Sequence, residues 1–141
     1  MATCHCLHVT AYSARLMATR DPVLADVFFI RRSATSIVRA LDIDHTLEDP
    51  ESKLDTIAAA QLFSLCPREL FERCQAEDSV EGLDRTNIIG TPLWEHDILK
   101  LSVERWGHWR IRWQSIKHMS GVSNEFHNVA VRSLEASDIV M

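Results

Sequence analysis

DILKLSVERWGHWRIRWQS, Asp97 to Ser115, is the stretch whose reading decides the fold. Apolar residues alternate along both halves, Leu99, Leu101 and Val103 in the first and Trp109, Ile111 and Trp113 in the second. Alternation with a period of two predicts two strands, and Arg105-Trp106-Gly107 between them predicts a hairpin loop. Pairing Val103 with Trp109, Leu101 with Ile111 and Leu99 with Trp113 puts all of these side chains on one sheet face. Gly107 then takes the left-handed position that closes such a loop, where glycine meets no steric cost.

The other face of that hairpin sets Lys100 against Arg112 and Ser102 against Arg110. Like charges directly opposite destabilise a sheet by some tenths of a kcal/mol, so Lys100 and Arg112 call for acidic residues of the helical part, such as Glu48, Glu51 or Asp55, or for an anionic ligand or partner, with Arg110 on the same face. Trp106 at the loop tip is pre-positioned for apolar contact, because tryptophan is enriched among binding hot spots. Trp109 and Trp113 fall on the core face and are assigned to packing.

Outward from the hairpin, Asp21-Pro22, Asp49-Pro50 and Cys66-Pro67 each place proline at a first helical position, twice behind a capping aspartate. Helices are expected from Asp21 to about Leu41 with a break near Ser33, again after Asp49-Pro50, and again after Cys66-Pro67. A polar, turn-rich stretch from Glu77 to Asn87, followed by Gly90 and Pro92, marks a junction. Phe126–Arg132 reads as a third strand and Asp138–Met141 as a short fourth. The expectation is one α+β domain over residues 1–141. About three helices in an acidic segment, 1–86, would pack on an antiparallel β-meander of three to four strands in 87–141, with a small barrel or strongly curved sheet as a variant.

At 141 residues the chain is long enough to bury a core without metal or disulfide support. Its net charge of -5 disfavours a nucleic-acid partner, although a local basic patch stays open. The whole excess lies in residues 1–86, with 9 Lys/Arg against 14 Asp/Glu, since residues 87–141 balance at 6 and 6. Polar and charged groups run throughout residues 1–20, and no run approaches the roughly 18 apolar residues that span a bilayer. An intracellular, cytoplasmic and reduced protein without membrane contact is expected.

Two short motifs carry family resemblances. SVEGLDRTN, Ser79 to Asn87, resembles the signature loop of the cysteine-dependent phosphatases through Gly82, Asp84, Arg85 and Thr86. That resemblance implies a phosphate held bidentately by Arg85. Ser79 stands where the family has its nucleophilic cysteine, so the loop would recognise phosphate as a pseudo-phosphatase without thiolate chemistry. Plain turn use competes with it. Asp42-Ile43-Asp44-His45-Thr46 resembles the first motif of the haloacid-dehalogenase-like phosphotransferases, which implies Asp42 as nucleophile and magnesium held with Asp44. That family also needs a parallel sheet, a later lysine and a distal acidic pair that the remaining chain does not place, and an acidic loop between helices is the favoured reading.

No cofactor is expected. Cys4, Cys6 and His8 would share one face of a strand and form the alternative metal set, against buried, reduced cysteines. Gly-x-Ser-x-Gly and the glycine-rich nucleotide loops are absent. For catalysis the candidates are His96, Asp97 and His127, as acid and base in a small pocket lyase, isomerase or hydrolase. The favoured function is a non-enzymatic binding or interaction protein that presents Lys100, Arg110, Arg112 and Trp106 to an anionic or protein partner. A homo-oligomer paired through an exposed Phe126–Arg132 edge is a further option.

Overall fold

A computed structural model describes Arg15 and residues 34–44, 50–78, 91–94, 100–119 and 123–140. In chain order, α1 (Ala34–Ile37) runs on into a π-helical segment (Val38–Asp42) and then β1 (Ile43–Asp44). Next come α2 (Pro50–Leu65), α3 (Pro67–Gln75), β2 (Thr91–Pro92), α4 (Val103–His118) and α5 (Asn124–Val140). Helix dominates, and the expected α+β class is corrected accordingly. Among the described residues the β-meander, barrel and curved sheet have no counterpart. Among the described residues the strand pairing is a short antiparallel ladder of Ile43 with Pro92 and Asp44 with Thr91.

The hairpin expectation fails because its apolar positions satisfy a helical period better. Leu101, Arg105, Trp106, Trp109, Trp113 and Ile116 are buried, a set spaced by threes and fours with Trp106 beside Arg105. Val103 and Ile111, both needed for the alternating pattern, are 47% and 61% exposed. Trp109 and Trp113 stand four apart, a spacing that suits a strand and a helix equally. The ends were the discriminating signal. Extended Ser102 accepts the Arg105 backbone N–H on its Oγ at 3.0 Å, Glu104 lies in the first turn, and Lys117 and His118 lie in the last. Gly107 is mid-helix, with nothing within 4 Å of where a Cβ would stand. The third and fourth strands expected at Phe126–Arg132 and from Asp138 are both part of α5, which removes the strand edge on which pairing of two copies rested.

The helix starts at Pro50 and Pro67 are as the sequence predicts. Of the helix expected from Asp21, the part up to residue 33 lies outside the described residues. α4 and α5 run antiparallel: the Lys117 carbonyl, late in α4, accepts from Nδ1 of the early His127, while Arg110 donates to the late Asp138. α2 packs on α4 through Phe63, whose ring stacks on Trp106 at 5.1 Å and meets Trp109 and Trp113 edge-on at 6.0 and 5.6 Å. Phe71 from α3 tilts against Trp106 at 5.2 Å. Offset and edge-to-face aromatic contacts each add about 0.5–1.5 kcal/mol beyond area burial. Ala58, Ala59 and Ala60 keep α2 thin at the crossing. Ser133 and Ser137, buried on α5, satisfy their hydroxyls on the carbonyls of Val129 and Leu134.

Candidate functional site

A charged group lies inside this aromatic core. Arg105 is 1% exposed and points at Asp42, which ends the π-helical segment and is 2% exposed. Arg105 donates to Asp42 Oδ2 through Nε at 3.1 Å and Nη2 at 2.7 Å, and through Nη1 to the Lys100 carbonyl at 3.1 Å. The second carboxylate oxygen accepts the Trp109 indole N–H at 2.8 Å. His108 Nε2 approaches the same oxygen at 3.3 Å, out of line for a hydrogen bond. Both charges are therefore buried, paired and multiply hydrogen-bonded, as interior ions must be.

Asp42 also organises the backbone around it. Its carbonyl accepts the Leu93 N–H at 2.7 Å, at the end of the short ladder. That fixes Trp94, whose ring lies 5.2 Å from the His108 ring. On the other side the Leu101 N–H donates to the Asp78 carbonyl at 2.8 Å, tying the approach to α4 to the end of α3. Between these anchors lies a cleft of about 310 Å³, lined by Cys74, Gln75, Glu77, Trp94, Lys100, Ser102, Val103 and Glu104. Glu77 sits there at φ 56, the left-handed region that favours glycine. Its carboxylate meets Lys100 Nζ at 3.4 Å.

Neither described thiol is primed for nucleophilic work. Burial pushes Cys66 from 9.0 up to about 12, with Glu69 adding to it. Cys74 is likewise raised to about 12 by burial, against a lowering pull from Arg105. Both are free cysteines that stay protonated at neutral pH.

The residues singled out in the sequence are dispersed. Trp106 is 0% exposed in the core rather than at a loop tip, because its hairpin is a helix. Arg110 bonds Asp138 on α5, Arg112 donates from Nε to the Leu41 carbonyl at 3.2 Å, and Lys100 holds Glu77. The three basic groups thus brace neighbouring segments instead of forming one stripe. His127 is exposed with Nδ1 2.9 Å from the Lys117 carbonyl oxygen. His96, Asp97, Arg85, Cys4, Cys6 and His8 lie outside the described residues. Among the described residues no three His, Cys, Asp or Glu side chains come together to hold a metal, and no helix is long and apolar enough to cross a membrane. The phosphotransferase-like role for Asp42 does not fit either. Arg105 and Trp109 occupy its oxygens, and the pairing beside it is antiparallel.

Residues 2–113 match the model of a family described as protein of unknown function, DUF3632. The chain belongs to that family. No curated protein and no solved structure matches it. The span of the DUF3632 match holds Asp42, Arg105, His108 and Trp109 together with every residue lining the cleft, and ends within α4. Sequence reading missed Arg105. A helical reading of Leu101, Arg105 and Trp109 would have placed an arginine on an apolar stripe, and a buried arginine calls for a carboxylate.

Proposed function

We propose that the chain is a non-enzymatic binding module and that its site is the cleft between the end of α3 and the start of α4. The observation that carries this reading is the cleft of about 310 Å³, whose walls are anchored from beneath by a buried ion pair. Its volume suits a small molecule or a single projecting side chain. Arg105 holds the Lys100 carbonyl, the ladder and His108 hold Trp94, and Asp78 holds Leu101. Walls fixed in this way lose little freedom when a ligand arrives, which favours binding. Binding is preferred over catalysis because the nearby reactive groups are committed elsewhere. Asp42 is hydrogen-bonded on both oxygens, and the Cys74 thiol is held protonated. An anionic partner on Lys100, Arg110 and Arg112 loses support, since each makes an intramolecular contact.

Native mass spectrometry of the chain purified from cells tests the reading, with Gln75→Trp as the variant. Gln75 is an exposed lining residue, so an indole there fills the cleft without touching the core. A small-molecule adduct on the parent chain that the variant lacks supports the cleft. An adduct that persists in the variant places the ligand elsewhere and refutes it.

A further inference from the structure

We infer that the cleft takes an organic cation, an alkylammonium or guanidinium group on a short chain; this rests on the cleft being the binding site. Three charged side chains line it, Glu77, Glu104 and Lys100, so its charge is negative by one. Lys100 is spent on Glu77 at 3.4 Å. Among the described residues no cation pairs with Glu104, which is exposed at the start of α4. Trp94 supplies an indole in the same lining, beside the His108 ring, and the indole quadrupole attracts cations. A carboxylate and an aromatic surface in one small cleft are the two elements that recognise ammonium and guanidinium groups.

Glu77 is the other carboxylate of the lining. It is the only non-glycine residue with positive φ among the described residues, at a position where glycine would be unstrained. Its contact with Lys100 runs through one carboxylate oxygen and joins side chains that are 61% and 44% exposed, so water screens it and the carboxylate can take a second cation beside Lys100. The negative net charge of the chain works in the same direction, by drawing cations toward it.

The required chemistry has two sources, a free small cation or a basic side chain of a peptide. Isothermal titration calorimetry of the full chain uses 1-butylguanidinium for the first, N-acetyl-arginine methylamide for the second, and pentanoate as an anion of similar length. Both cations should bind and pentanoate should not. Glu104→Gln should weaken the cations about tenfold or more while leaving the circular dichroism spectrum unchanged. Trp94→Leu should also weaken them. Tighter binding of the capped residue points to a peptide, and equal affinity points to a free cation. Unchanged affinity in Glu104→Gln, or pentanoate binding as well as the cations, overturns the proposal. If pentanoate binds and Gln75→Trp abolishes it, the cation assignment falls and the cleft stands. If neither ion binds and Gln75→Trp keeps its cellular adduct, both fall.

Discussion

α4 carries two arginine–aspartate pairs, one on each side of the helix. Arg105 and Asp42 are 1% and 3% exposed in their side chains, whereas Arg110 and Asp138 are 29% and 57% exposed. The chemistry is the same and the surroundings are opposite. Outside, water already solvates both partners, so forming the pair gains little, typically 0.2–1 kcal/mol. Inside, desolvation of both ions has been incurred, and each depends on the other to offset it. The inner pair is therefore a point of vulnerability more than a source of stability.

Asp42→Ala should give the largest effect, a loss of about 3–5 kcal/mol, since it leaves the Arg105 guanidinium buried without its counter-ion. Urea denaturation measures it. Replacing both partners, as Asp42→Leu with Arg105→Met, should recover most of that loss, and a double variant as unstable as Asp42→Ala would contradict the account. The next effect separates interior from surface by pH. Cys66 and Cys74 keep their protons up to about 12 when folded, against 9.0 otherwise. The unfolded chain gives up those protons first. Stability should hold below about pH 9 and fall as pH rises from there toward about 12, by up to ~1.4 kcal/mol per thiol for each pH unit. Denaturation midpoints at pH 8 and pH 10, with and without Cys66→Ala and Cys74→Ala, should show the slope flatten in the variants.

Smaller changes test α4 itself. Ser102→Ala should cost about 1 kcal/mol by releasing the Arg105 N–H beside the inner pair. Gly107→Ala should act with the opposite sign and stabilise by about 0.5–1 kcal/mol, because a helix interior disfavours glycine and the added methyl meets open space. In a hairpin loop the same substitution would destabilise, so thermal denaturation of this variant decides between the two readings of the stretch. Arg110→Ala should give the smallest effect, about 0.2–1 kcal/mol, and should shrink in high salt.

The sequence announced α2 and α3 through Asp49-Pro50 and Cys66-Pro67, because proline chemistry is local and survives any tertiary context. It also assigned Trp109 and Trp113 to the core, which holds although the element around them differs. α4 was misread because Leu99, Leu101 and Val103 alternate, and because tryptophans four apart fit both periods. The Ser102 cap and the charge bias of its two ends carried the correct answer. The inner pair joins residues 63 positions apart. Asp42 drew notice only through a short phosphotransferase-like motif, and Arg105 was assigned to a turn. Nothing local to either residue names the other; only the packing of the π-helical segment on α4 brings them together.

The aromatic centre has an optical consequence. Trp106 and Trp109 lie with ring centroids 6.3 Å apart at an angle of 61°, around the ring of Phe63 and out of contact with solvent. Indoles held that close in a fixed, non-parallel geometry share their electronic excitation. The folded chain should therefore carry its own spectroscopic signature, an exciton couplet in circular dichroism that vanishes when the two rings separate. Loosening of the helical core can be followed by that signal, with no label attached.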